Sequence, residues 1–198
     1  MHKTKSKNKE RQLIIIDLDD TLIDTYSFKN IIFDKLALES GLTKKEIEEI
    51  YQEIKRKGNK NLLSTFCLEI GNKSNKDKNI FEKTILSAVK TIKINKEVLN
   101  FVKKTKGDKI LLTQGETKFQ KAKIEFLKEK TKIDKILSDI VITKNDKAQF
   151  ISSKIKRNKF IFKGKGYNTI TILDDKLDLF YDLRMYPFIG LIHPKEIE

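Results

Sequence analysis

Ile14-Ile15-Ile16-Asp17-Leu18-Asp19-Asp20-Thr21-Leu22-Ile23-Asp24 decides how this chain is read. The isoleucine run is apolar without alternation, as in a strand covered on both faces of a parallel sheet. Asp17, Asp19 and Asp20 then follow at its end. In open α/β sheets, ligands bind outside the carboxyl ends of the strands. Side chains two apart on extended backbone point the same way, so Asp17 and Asp19 share a site while Asp20 turns away. Two carboxylates that close repel unless a proton or cation intervenes. Their oxygens suit Mg²⁺, a hard cation.

The rest of the composition limits what can surround that site. A length of 198 residues predicts one domain, or a core with one insertion. The chain is 38% hydrophobic and 35% charged, a globular balance, and has no apolar run of transmembrane length. No export signal is read, and no membrane partner is expected. Cys67 stands alone, which excludes an internal disulfide and predicts core packing and a reducing, cytoplasmic setting. The net charge of +14 raises the question of nucleic acid. Yet only Arg11, Arg56, Arg157 and Arg184 among 42 basic residues are arginines, the type suited to bidentate phosphate and base contacts. Lysine is scattered through every segment, so solvated faces are the favoured reading over a nucleic-acid surface.

Periodicity divides the chain. Residues 1–12 carry alternating cations without apolar spacing and are read as a flexible basic tail. Residues 13–18 form the first strand. Residues 25–96 show only helical patterns, four helices, the third placed at 61–70 and stopped by Gly71. Thr43-Lys44-Lys45-Glu46 is a capping box for the second. About seventy helical residues exceed a normal crossover and predict an all-helical cap inserted into the core. Hinges are expected at 25–27 and 94–96. Helix and strand then alternate through 97–198: strands at 109–113, 140–142, 169–173 and 188–192, helices at 116–130, 146–157 and 177–184. Segment 159–162 reads equally as a strand or a helix end. The prediction is an α/β fold, a three-layer Rossmann-like parallel sheet.

Polar residues recur at the later strand ends. Thr113 closes Ile110-Leu111-Leu112 and is followed by Gln114-Gly115 at a helix start. A hydroxyl and backbone N–H groups there can bind a phosphate oxygen, so Thr113, Gln114 and Gly115 are candidate substrate contacts. Ile170-Thr171-Ile172-Leu173 ends in Asp174-Asp175.

Asp17-x-Asp19-x-Thr21 after its strand resembles the first motif of the haloacid dehalogenase superfamily, and the strand ending in Thr113 resembles the second. Asp174-Asp175 resembles the fourth. The third is a lysine that neutralises nucleophile and phosphate. Lys147, at a helix start where a cation is disfavoured by the dipole, fits that task, with Lys144 the alternative. The resemblance covers about 13–24 and 97–192, and the helical stretch looks like the cap of the phosphoglycolate phosphatase-like and β-phosphoglucomutase-like branches. Asp20 departs from it, standing where many members have Gly, as does Gln114.

The resemblance implies a Mg²⁺-dependent phosphatase. Asp17 is the implied nucleophile and Asp19 the acid/base. Asp17, the Asp19 backbone carbonyl and Asp174 would hold the metal, supported by Asp175 or Asp178. Thr113 and Lys147 would bind the phosphoryl oxygens. Tyr26, Phe28, Tyr51, Lys55 and Arg56 are possible cap contacts to a phosphorylated small molecule. A mutase of the same fold, a polynucleotide-end phosphatase or a basic binding module are the alternatives. A monomer or weak dimer is expected.

Overall fold

The computed structural model describes residues 11–58 and 62–197. The basic tail lies outside them except for Arg11 and Gln12, and Gln12 already belongs to the first strand.

In chain order, β1 is Gln12–Ile16 and β2 is Ile23–Asp24. Helices α1 (Thr25–Ser40), α2 (Lys44–Arg56), α3 (Leu62–Ser74) and α4 (Lys78–Ala88) follow. Then come β3 (Lys93–Ile94), α5 (Lys96–Lys104), β4 (Asp108–Gln114), α6 (Thr117–Thr131) and β5 (Asp139–Thr143). The chain continues through α7 (Lys147–Ser152), β6 (Ile155–Lys156), β7 (Lys159–Phe162), β8 (Lys165–Tyr167), β9 (Thr169–Leu173) and β10 (Ile189–Ile192). A kinked 3₁₀ segment, Leu177–Met185, connects the last two strands.

The main sheet has the order β10-β9-β1-β4-β5, and every neighbouring pair is parallel. The α/β Rossmann-like expectation is met. β1 is central, and its residues alternate between two buried layers. Ile14 and Ile16 join Leu111 and Leu173 against α5 and α6, through Val98, Val102, Ile124 and Leu127. Leu13 and Ile15 join Ile110, Leu112, Ile170 and Ile172 on the other face, against Ile151, Phe160, Phe180 and Leu183. This is why the isoleucine run shows no polar alternation. From β1 the chain steps outward to β4 and β5, then returns across to β9 on β1's other side. The reversal falls between β1 and β9, where ligand crevices form in such sheets.

The second face differs from the sequence expectation. The helix expected at 146–157 ends at Ser152, and β6, β7 and β8 form a three-stranded antiparallel sheet. Each hairpin turns on two residues with positive φ, Arg157-Asn158 (50°, 56°) and Lys163-Gly164 (47°, 76°). Two-residue turns of that kind match strand twist and draw on Asn and Gly. Ile151 and Ile155 happen to sit at helical spacing, which concealed the break.

Among α1–α4, the capping box at Thr43 forms, its hydroxyl accepting from the Glu46 N–H while the Glu46 carboxylate accepts from the Thr43 N–H. Gly71 does not stop α3, which runs on to Ser74. Gly71 is buried there, and a β-carbon would lie 2.8 Å from the Lys76 carbonyl oxygen. The glycine permits close packing of the α3–α4 turn. At the base of the four helices, β2 pairs antiparallel with β3, Ile23 with Ile94 and Asp24 with Lys93. Both passages between helices and sheet are thus joined side by side. Cys67 is buried in α3, and burial pushes its thiol pKa up to about 12, in keeping with packing rather than reactivity.

Candidate active site

β1 ends against β9, and the Asp17 N–H donates to the Leu173 carbonyl. That bond carries the ladder one step beyond the strand and aims Asp17 at the crevice. Asp174 follows Leu173 on β9, so the two carboxylates face each other across adjacent strand ends. Both are buried. Lys147, the first residue of α7, bridges them, with Nζ 3.0 Å from Asp17 Oδ1 and 2.5 Å from Asp174 Oδ2. Burial pushes the Asp17 carboxyl up to about 7, opposed by Lys147 and reinforced by the Asp174 and Asp19 charges. Burial also works against the Lys147 ammonium, but the two carboxylates outweigh it and hold its pKa above the ordinary value. Lys144 is exposed in the loop before α7, at the rim of the cavity described below.

Asp17, Asp174 and Asp175 each offer a carboxylate oxygen, all within 4.8 Å of one another. Such an all-oxygen set suits a hard divalent cation, which would offset both the burial that chiefly raises the Asp17 pKa and the smaller push from the neighbouring carboxylates. Asp175 is therefore the supporting acid brought to the cluster, while Asp178 is exposed. Thr113 lies in β4 next to β1. Its hydroxyl is buried without a hydrogen-bond partner among the described residues. A buried hydroxyl normally finds a partner; that of Thr113 has none among the described residues, as is also true of Thr21 Oγ1 and Gln120 Oε1.

Asp19 sits differently from Asp17. Its carboxylate accepts from Thr25 Oγ1 (2.6 Å) and Lys123 Nζ (2.6 Å) on one oxygen, and from Gln120 Nε2 (2.8 Å) on the other. Burial would raise its pKa, but Lys123 and these hydrogen bonds override that and lower it. Thr25 opens α1, and Gln120 and Lys123 lie on one side of α6. Sequence reading missed both α6 residues. Their spacing of three puts them on one helix face, but Lys123 is one lysine among very many.

Gly115 has φ +153°, and a β-carbon there would lie 2.7 Å from Gln120 Nε2. Its role is to admit Gln120. Its N–H donates to the Thr143 carbonyl and the Gln114 carbonyl accepts from Gln120, so the Gly115 amide is spent inside the fold rather than offered to a phosphate. Asp20 has φ +55°, and its carboxylate accepts from the Tyr26 N–H at the start of α1. A left-handed position explains how Asp replaces Gly here, since short polar side chains tolerate it.

A cavity of about 660 Å³ opens beside Asp19 and Lys123. Phe28, Phe33, Tyr51 and Phe66 from α1–α3 form part of its wall, with Phe119 of α6. Phe28 and Tyr51, two of the possible cap contacts, are thus among the residues of this wall. Tyr26 is 72% exposed, and Lys55 and Arg56 are exposed away from the wall. Glu116, ahead of α6, ties the four helices to the sheet by accepting from the Ser64 hydroxyl (2.7 Å) and N–H (3.1 Å) of α3.

No protein-family model and no curated protein sequence matches the chain. Solved structures do. A protein described as a haloacid dehalogenase-like hydrolase, from Burkholderia xenovorans, is similar with a TM-score of 0.72 at 14% identity, covering 93% of this chain and 82% of that one. YfnB from Bacillus subtilis, a HAD-hydrolase solved with magnesium bound, gives 0.57 at 14%, covering 85% and 80%. A protein described as a β-phosphoglucomutase, from Thermotoga maritima, gives 0.57 at 15%, covering 94% and 96%. The chain therefore has the fold of the haloacid dehalogenase-like hydrolases.

Proposed function

We propose that this protein is a haloacid dehalogenase superfamily phosphatase that hydrolyses a small phosphate ester through a phosphorylated Asp17. The observation that carries the reading is the Lys147 bridge between Asp17 and Asp174 at adjacent strand ends, with the unpartnered Thr113 hydroxyl near the end of the neighbouring strand β4.

Asp17, Asp174 and Asp175, with the Asp19 backbone carbonyl, are the groups that would hold Mg²⁺. When bound, the cation would neutralise charge on the phosphoryl oxygens and keep Asp17 ionised. An Asp17 oxygen attacks phosphorus as the ester P–O bond breaks. Lys147 and the Thr113 hydroxyl hold equatorial oxygens, which is the positioning and charge stabilisation that phosphoryl transfer demands. Asp19 gives a proton to the departing oxygen. Its lowered pKa makes it a strong donor whenever it carries that proton. Water then attacks the phosphorus, the bond to Asp17 breaks to release phosphate and restore the carboxylate, and ionised Asp19, the form held here by Lys123, accepts the water's proton.

The α1–α4 stretch is read as the cap, enclosing the leaving group in the cavity beside Asp19 and excluding water. The β2–β3 pair is its joint with the core. Interdomain movement is described for YfnB in its magnesium-bound form. The lone buried Cys67 supports a reducing, cytoplasmic setting. Among the described residues, no helix is long and apolar enough to cross a membrane.

The test is turnover of p-nitrophenyl phosphate and a panel of about a hundred phosphorylated metabolites with Mg²⁺. Mg²⁺-dependent phosphate release supports the reading, and inactivity across the panel opposes it. Transfer of the phosphoryl group to a second substrate, without net phosphate release, would favour a mutase instead.

A further inference from the structure

We infer that Lys123 is the positioning residue for Asp19, fixing its carboxylate on the leaving-group side of the site. This rests on the phosphatase reading and adds to it a group that the four motifs do not contain.

Three lysines of the described residues are buried: Lys109, Lys123 and Lys147. Lys109 reaches the Gly107 carbonyl at the far, amino end of β4. Lys147 serves Asp17. Lys123, with a side chain 3% exposed, serves Asp19 at 2.6 Å. Asp17 and Asp19 are therefore paired with different buried ammonium groups: that of Lys147, which is shared with Asp174, and that of Lys123. Taking a lysine out of water is costly, and long cationic side chains normally reach solvent instead. This one lies across the face of Phe119, 4.5 Å from the ring centroid, and Phe119 stacks on Phe28 of α1 at 6.2 Å. Lys123 is also one of the residues lining the cavity beside Asp19. Gln120 and Thr25 supply the remaining donors, so Asp19 is fixed from α6 and from the first turn of α1 together.

A purely structural ion pair and a positioning residue differ in what their loss does to catalysis. In the first half-reaction, the Asp17–phosphorus bond forms, the ester bond breaks, and the Asp19 proton passes to the leaving oxygen. A weakly basic leaving oxygen departs without that proton, and a strongly basic one does not. Misplacing Asp19 therefore penalises esters according to leaving-group basicity, whereas general damage penalises all alike.

The experiment measures kcat/KM with Mg²⁺ for phenyl phosphate and 2,4-dinitrophenyl phosphate. This ratio reports the steps up to formation of the phosphorylated enzyme. Lys123→Met is expected to lose about 100-fold on phenyl phosphate, the scale of general acid catalysis, and less than about tenfold on the dinitrophenyl ester. Lys123→Arg is expected to recover part of the phenyl phosphate loss. If Lys123→Met does not fold, Gln120→Leu shows the same split, smaller in size. Equal losses on both esters from the folded variant overturn the inference while the phosphatase reading stands. A wild-type protein inactive on both esters and across the whole metabolite panel removes the reading and the inference with it.

Discussion

The Lys147 ammonium sits 3.0 Å from Asp17 Oδ1 and also binds Asp174, making one cation the shared counterion of two buried carboxylates. Removing one partner of such a group leaves charge uncompensated in the interior. Lys147→Met is expected to lower the stability of the metal-free protein by about 3–5 kcal/mol. Added Mg²⁺ should recover part of that, while activity stays at least about 100-fold down for want of a cation on the phosphoryl oxygens. Thermal melts with and without MgCl₂ check the first part. Unchanged melting of the variant would mean that the three groups are not coupled.

The Asp17 carboxyl lies at about 7 in the fold, against an ordinary 3.8, chiefly because it is buried. Between those values the folded protein keeps a proton that the unfolded chain has lost. The metal-free protein therefore loses stability from this group as pH rises through that window, and the loss is complete above about 7. Cation binding needs the ionised carboxylate, so the rise in Tm on adding MgCl₂ should be larger at about pH 8 than at about pH 5.5. Melting curves at both values, each with and without the salt, decide it. A larger rise at the lower pH would contradict the assignment of Asp17 as a ligand.

Gly71 reverses an ordinary expectation. Gly→Ala inside a helix usually stabilises by roughly 1 kcal/mol. Here the new β-carbon would meet the Lys76 carbonyl at 2.8 Å, and backbone cannot swing aside as a side chain can. Gly71→Ala should destabilise, as read by urea denaturation. A stabilised variant would show that the turn between α3 and α4 is looser than described.

Gly115→Ala places a β-carbon 2.7 Å from Gln120 Nε2 at a φ that disfavours side chains. The expected results are a loss of about 1–3 kcal/mol in stability and a fall in activity, because Gln120 is pushed off Asp19. Steady-state kinetics alongside the melt separate the two effects. Full activity would show that the Gln120 contact is dispensable.

The parallel sheet was legible because strands covered on both faces must be largely apolar: 14–16 and 110–112 are so throughout, and 170–173 is broken only by Thr171. Asp17 and Asp174 were legible because strand ends place them, and Lys147 because a cation at a helix start invites a reason. The β6–β8 sheet was not, since Ile151 and Ile155 imitate a helical stripe and only Asn158 and Gly164 mark its turns. Gly71 read as a helix stop because composition does not distinguish a glycine that ends a helix from one that lets a neighbour approach. Lys123 stayed hidden for a different reason. Its meaning comes from a contact across 104 positions with Asp19, and nothing local separates it from the solvated lysines around it. Gly115 was read as a phosphate contact, and only the fold shows its amide engaged with Thr143.

The central claim is that Asp17 carries the phosphoryl group. The direct measurement is to quench the enzyme during turnover of p-nitrophenyl phosphate with Mg²⁺ and map the phosphate by peptide mass spectrometry. Phosphate on Asp17 in the wild type, together with no turnover by Asp17→Asn, is the predicted result. Undiminished phosphate release by Asp17→Asn would contradict it.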